Sequence, residues 1–311
     1  MSFRRGRNIT TTSGLCLVLF AGAGLKPVQA RGHDVWRIIE NHHFQALSDA
    51  DVADVKKLLL DLERFRLIVL KLTTVKVPSD APPVEVILFG NANEFIQNIH
   101  THRVAGFAAH DKAGRLFIVM PVSLWGADAM HDIRHEYVHT LMAYHVFQLP
   151  QWYNEGLAEF LASVRIRSDE IILGKPPKER TKYWDFESLY SYDKLVADDI
   201  DTKKVSFADA YMQYWLLTDY LLTDAKRAKN LGKYIALYNS GMDSLKAFKI
   251  SFGMTPSELY RRRLRSYVRF VKVYGMKFDF SGMDTDFRTR PAPRQDMKDM
   301  HNLLAHVDLS K

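Results

Sequence analysis

The chain has 311 residues and a formal net charge of +7, but Arg4, Arg5, Arg7 and Lys26 all fall in an acid-free N-terminal stretch. Without residues 1–30 the count is 39 basic against 36 acidic residues, a net of +3, which removes charge as a reason to expect nucleic-acid binding. The single cysteine, Cys16, lies in the same stretch, so beyond it disulfides, thiolate metal ligands and a cysteine nucleophile are excluded.

The first 30 residues read as an export signal. MSFRRGRNITTTSG is basic and polar, LCLVLFAGAGL is apolar, and KPVQA places Val28 and Ala30 where a signal peptidase reads small residues. The apolar run falls short of the ~20 residues that span a bilayer. The pattern predicts cleavage near Ala30 and a periplasmic or secreted product with no stable membrane insertion. Leu15 precedes Cys16 where a lipoprotein signal wants a small residue, so lipidation is not expected.

Residues 34–46 read as a first strand. Over 49–73 leucines and valines recur at three- and four-residue intervals, which predicts an amphipathic helix packed on a sheet. PPVEVILFG (82–90) is a strand closed by glycine, and NANEFIQNI (91–99) a short helix. Two strands are expected within 105–120 around a turn at Asp111–Gly114, then helices over about 127–146 and 149–164. VRIRSDEIILG (164–174) reads as a small hairpin and KPPKERTKYW (175–184) as an exposed basic loop. FADAYMQYWLLTDYLL (207–222) is apolar almost all round, the mark of a buried helix. Thr255-Pro256-Ser257-Glu258 is a capping box that opens the helix holding RRRLRSYVR (261–269), expected to present a solvated face. Four segments result: the signal at 1–30, a subdomain at 31–163, a mainly helical one at 164–275, and an extended tail at 276–311.

The chemistry concentrates in HDIRHEYVHTLM, residues 131–142. His135 and His139 are four apart on a helix, so two imidazoles can face one ion. Glu136, rotated by ~100° from His135, can reach a water at that ion without ligating it. His131 extends the stripe, but it lies about 12 Å along the axis from His139, too far to share an ion. His131 and His145 are expected as surface or supporting residues. A third ligand must come from elsewhere, and QWYNEGLAEF (151–160) follows. On that helix Glu155 and Glu159 share a face, one suited to a metal and the other to a histidine N–H.

H-E-x-x-H followed by W-x-N-E-G-x-A-E-F resembles the gluzincin metallopeptidases of the MA clan, nearest to the aminopeptidase-like branch and to minimal exported bacterial forms. The order of elements is similar over roughly 34–270, the specific motifs only over 135–160. The resemblance implies an α+β, zincin-like fold with a mixed sheet and active-site helices. It implies a Zn2+ site of His135, His139 and Glu155, with Glu136 as general base and Glu159 orienting a ligand histidine. It also implies a tyrosine on the oxyanion, with Tyr211 in that place and Tyr214 as the alternative. As in zincins, the strand near 115–120 would pair with an extended peptide. The spacer between His139 and Glu155 is shorter than in the aminopeptidases, and their G-x-M-E-N segment is absent, which argues against aminopeptidase specificity.

The expected function is exported, zinc-dependent hydrolysis of peptide or protein substrates, with the metal lost under acid as the histidines protonate. The alternative is a non-catalytic scaffold of the same fold that binds a protein or envelope partner. A third reading, a nucleic-acid or envelope-polymer binder using residues 261–272, would show itself by steep salt dependence. No nucleic-acid partner is expected.

Overall fold

The computed structural model describes residues 16–19, 35–99, 104–110, 115–124, 127–177, 190–200 and 207–305. The expected signal peptide apart from 16–19, the turn at 111–114 and the loop beyond 177 lie outside them. The protein is a mixed α+β structure of two compact units, Met1–Leu141 with Phe280–Lys311, and Met142–Asp279. The helix that carries Glu155 belongs to the second unit, so the division falls at 141/142 and not at 163/164.

The first unit is built on a seven-stranded sheet of order β1-β5-β6-β4-β3-β2-β10. Its strands are β1 (Cys16–Leu19), β2 (Arg37–Glu40), β3 (Phe44–Ser48), β4 (Val84–Phe89), β5 (Val104–His110), β6 (Leu116–Pro121) and β10 (Arg288–Pro291). β3, β4 and β6 run parallel, and the remaining pairs are antiparallel. The single strand expected over 34–46 is two, because Asn41 makes a turn inside it. The Asn41 side-chain oxygen accepts from the backbone N–H of His43 at 3.1 Å and of Phe44 at 2.8 Å.

The strand period of two sorts the side chains onto two faces. Ile38, Leu47, Ile87, Val119 and Phe107 form one apolar row, joined by Phe95 of α2 (Ala92–Ile99) and by Met300 and Leu304 of the closing helix. The opposite face presents Phe44, Ala46, Val86 and Ile118, all fully buried. Phe44 meets Tyr137 of α3 (Ala127–Met142), which also touches Phe65 of α1 (Val52–Thr73). α1 is capped by Asp51, whose carboxylate accepts from the Ala53 N–H at 2.8 Å, and it buries Val55, Leu58, Leu59, Leu62, Phe65 and Val69 at helical spacing.

Two expectations are corrected in this unit. β6 is an interior strand, flanked by β5 and β4, so its hydrogen-bonding edges are filled and it cannot take up a peptide. The extended tail is instead β10, paired with β2, and the helix Arg294–Ala305. Pro291 is tolerated because β10 is an edge strand. Met297, Met300, Leu303 and Leu304 give the helix an apolar stripe that the prolines at 291 and 293 mask in the sequence.

The second unit is mainly helical. It contains α4 (Gln151–Ala162), α5 (Tyr192–Ala197), α6 (Phe207–Leu222), α7 (Ala225–Asn239) and α8 (Ser244–Phe252). The capping box then opens α9 (Pro256–Leu259), continued by a π turn at Tyr260–Leu264, by α10 (Arg265–Tyr267) and by a 3-10 turn at Val268–Phe270. A small antiparallel sheet joins the expected hairpin, β7 (Arg165–Arg167) and β8 (Glu170–Leu173), to β9 (Tyr274–Lys277). The helix Arg294–Ala305 of the first unit is α11.

α6 carries a buried acid, Asp219, that is fully enclosed. Its Oδ2 accepts from the Tyr267 hydroxyl at 2.7 Å, while Oδ1 has no hydrogen-bond partner among the described residues. Desolvation lifts its pKa from 3.8 to about 7, against the opposing pull of the Tyr267 bond and the Arg227 charge. Between these two values the folded chain holds a proton that the unfolded chain releases. The contribution of Asp219 to stability is therefore fully present below pH ~4, declines as pH rises to ~7 and is lost above it. Asp219→Asn removes the charge, so it is expected to stabilise the protein by roughly 2–4 kcal/mol at pH 8 and by little at pH 4. Thermal unfolding of both proteins at the two pH values measures this.

Candidate metal centre

α3 is held by its inner face. Ile133, Tyr137, Val138 and Leu141 are buried, and burial raises the Tyr137 pKa so that its hydroxyl keeps its proton. The Arg134 guanidinium lies over the Phe65 ring at 5.1 Å. Desolvation lowers the Arg134 pKa to about 10, partly opposed by the charge of Asp61, so it remains a cation at neutral pH.

On this anchored helix His135 and His139 stand one turn apart with their Nε2 atoms 3.0 Å from each other and their rings at 76°. Two nitrogens that share a tetrahedral ion at ~2.0–2.1 Å would lie ~3.3 Å apart, so the pair is already close to a ligating arrangement. His135 is 4% exposed and Glu136 only 8%. His131 is 5% exposed, so of its two expected places, surface or supporting residue, the surface one does not hold. His145 is half-buried in the segment after α3, where its Nδ1 lies 3.0 Å from the Phe147 carbonyl oxygen.

α4 is positioned within the second unit by two devices. The first is a polar relay. Trp152 Nε1 donates to the Tyr234 hydroxyl at 2.9 Å, which meets Ser244 Oγ at 2.8 Å, and Ser244 donates to the Val196 carbonyl at 2.6 Å. The second is Gly156, where α4 crosses α6. A Cβ at Gly156 would collide with Thr218 Oγ1 and come within 2.6 Å of the Tyr214 carbonyl oxygen. The glycine of N-E-G is there because two helix backbones touch at that point.

Glu155 is half-buried, and Glu159, one turn on, is fully buried. Tyr214 of α6 is 5% exposed, and its pKa is raised by desolvation first and then by the negative charges of Asp198 and Glu155. Its hydroxyl therefore stays protonated. Tyr211 is less buried and packs edge-on against the Tyr214 ring, with centroids 6.3 Å apart. Asp198 was not singled out in the sequence, and no motif contains it. Desolvation raises its own pKa as well.

One ring nitrogen from each of His135 and His139 and one carboxylate oxygen of Glu155 all lie within 4.8 Å of one another. Such a group could hold a metal ion. No protein-family model matches this chain, and no curated protein matches its sequence. What the site can bind follows from its own donor atoms. Three ligand atoms ~2.0–2.2 Å from one tetrahedral ion lie ~3.3–3.6 Å apart, so the group closes on an ion when its widest separation shortens by roughly 1 Å. Two neutral imidazoles and one carboxylate are donors for a borderline transition metal, not for calcium or magnesium, which take oxygen ligands.

Proposed function

We propose that the chain is an exported zinc-dependent peptidase of gluzincin type, with His135, His139 and Glu155 as metal ligands and Glu136 as general base. The observation that carries the reading is the approach of two histidines and one glutamate to within 4.8 Å, with the glutamate of H-E-x-x-H enclosed beside them. Three protein ligands leave a fourth position for water or substrate, the arrangement of catalytic zinc sites.

When bound, zinc would supply Lewis acidity that polarises the scissile carbonyl and makes water a nucleophile near neutral pH. Glu136 accepts the proton of the attacking water and passes it to the leaving amine. Tyr211, the more open of the two tyrosines on α6, donates its hydroxyl to the developing oxyanion, with Tyr214 packed against it as support. Glu159, enclosed one turn from Glu155, is suited to fix a ligand imidazole in orientation. Once the expected cleavage near Ala30 removes Cys16–Leu19, the peptide would take their place on β5, and not, as the sequence suggested, pair with β6. The segment Cys16–Leu19 already adds to that edge of β5 in antiparallel register, Cys16 opposite Ala108.

The test is metal content of the purified protein by plasma mass spectrometry, beside Glu155→Ala, followed by cleavage of a peptide library. About one zinc per chain is expected, with retention weakened at least ~tenfold in the variant. Zinc without cleavage would leave a structural site and a scaffold that binds a partner. No zinc in either protein after reconstitution would overturn the metal centre itself.

A further inference from the structure

Residues 260–277 of the second unit contain five arginines between 261 and 269, then Lys272 and Lys277, and no Asp or Glu. All seven cations are exposed. Lys277 is taken up by Asp169 at 2.6 Å, and the nearest preceding acid, Glu258, is occupied in capping the Thr255 N–H at 2.8 Å. The helical stretch ends at Phe270, and at Val271 the backbone turns to φ −55°, ψ 128° and leads into β9.

At this reversal large apolar side chains stand in water. Phe270 is 77% exposed, Val273 49% and Met276 45%. Tyr274 is 36% exposed, and its hydroxyl is held by the Thr223 carbonyl at 3.1 Å. Single exposed apolar residues are ordinary, but four within seven residues, continuous with a strip of cations that outnumber the acids facing it from other elements (Asp169 and Glu170 at Lys277, Asp224 at Lys272, Glu258 at Arg261 and Arg262), are not. β9 is also an edge strand of its sheet, so this side of the unit ends there.

We propose that residues 261–277 form a peripheral docking surface for an anionic lipid bilayer. The arginines and Lys272 meet headgroup phosphates, while Phe270, Val273 and Met276 enter the acyl boundary. Charge complementarity supplies the attraction, each cation near an anionic surface strengthening binding about fivefold. The apolar residues decide between anionic partners. A nucleic acid would use the arginines equally well and could stack on Phe270 or Tyr274, but it offers nothing to Val273 and Met276. A bilayer boundary rewards all of them. The surface is independent of the histidine–glutamate group and of any reaction there.

The experiment is co-sedimentation of the full chain with vesicles of phosphatidylcholine alone or with about one-third phosphatidylglycerol, at low and high salt. Phe270→Ser/Met276→Ser and Arg265→Gln/Arg269→Gln are compared with the unaltered chain, so any lipid affinity of the apolar N-terminal stretch is common to all three. All four positions are exposed, and unchanged thermal midpoints will confirm that the variants fold. Binding is expected to be at least ~tenfold tighter to the anionic vesicles and to fall with salt. The apolar double variant should bind about tenfold more weakly with the salt dependence kept, whereas the arginine variant should bind roughly 25-fold more weakly with a shallower salt dependence. Equal binding to neutral and anionic vesicles, or unaltered binding by both variants, overturns the proposal. Tighter binding to a single-stranded oligonucleotide, unaffected by Phe270→Ser/Met276→Ser, would assign the surface to nucleic acid instead.

Discussion

Glu136→Gln is expected to lower peptide-hydrolysis turnover by about 10²–10⁴-fold while leaving one zinc per chain in place. The substitution keeps side-chain volume and helix propensity, so α3 and its two histidines should hold their positions. What it removes is basicity. Glutamine can accept a hydrogen bond from water but cannot take its proton, and no other acid of the described chain stands beside the histidines within the same motif. Turnover on a fluorogenic peptide, with metal measured on the same preparation, gives the answer. Full turnover in the variant would remove Glu136 from the reaction. Loss of metal together with turnover would make it a residue that holds the site rather than the base.

The two histidines and Glu136 were legible because a helix repeats every 3.6 residues and all three sit on one uninterrupted turn. Glu155 was legible only through the N-E-G resemblance, since nothing in local spacing says which later carboxylate approaches the pair. Long helices and interior strands read well, as α1 and α6 show, because their apolar periods are long. What failed to read was non-local. Residues 276–311 look polar and proline-rich, and only the sheet reveals that Arg288–Pro291 pairs with Arg37–Glu40 some 250 positions earlier. That β6 is interior depends on β4 and β5 together, which no strand can announce by itself. Asp198 and Asp219 are acids whose environments are made entirely by distant elements, so their raised pKa values have no signature in the chain.

Gly156→Ala is expected to destabilise the second unit by about 2 kcal/mol or more, the reverse of what helix propensity alone demands. Alanine in a helix interior is favoured over glycine by ~1 kcal/mol, so at an open position the change would raise the melting temperature. At Gly156 the added methyl meets Thr218 Oγ1 and, at 2.6 Å, the Tyr214 carbonyl oxygen. The threonine could rotate away, but the carbonyl belongs to the backbone of α6 and cannot. α4 and α6 must therefore separate, loosening Trp215 and Leu161, which pack fully buried on these helices. Thr218 Oγ1 has no hydrogen-bond partner among the described residues, so Thr218→Ala should cost little by itself. Adding it to Gly156→Ala should recover part of the loss and not all, because the carbonyl contact stays. Calorimetric melting of the two single variants and the double one tests this coupling. A rise in melting temperature for Gly156→Ala would mean that the helices do not meet there. Glu155 is the preceding residue on α4, so the same displacement should weaken zinc retention together with stability, a link that Asp219→Asn, whose carboxylate faces Gly174 and not Gly156, should not share.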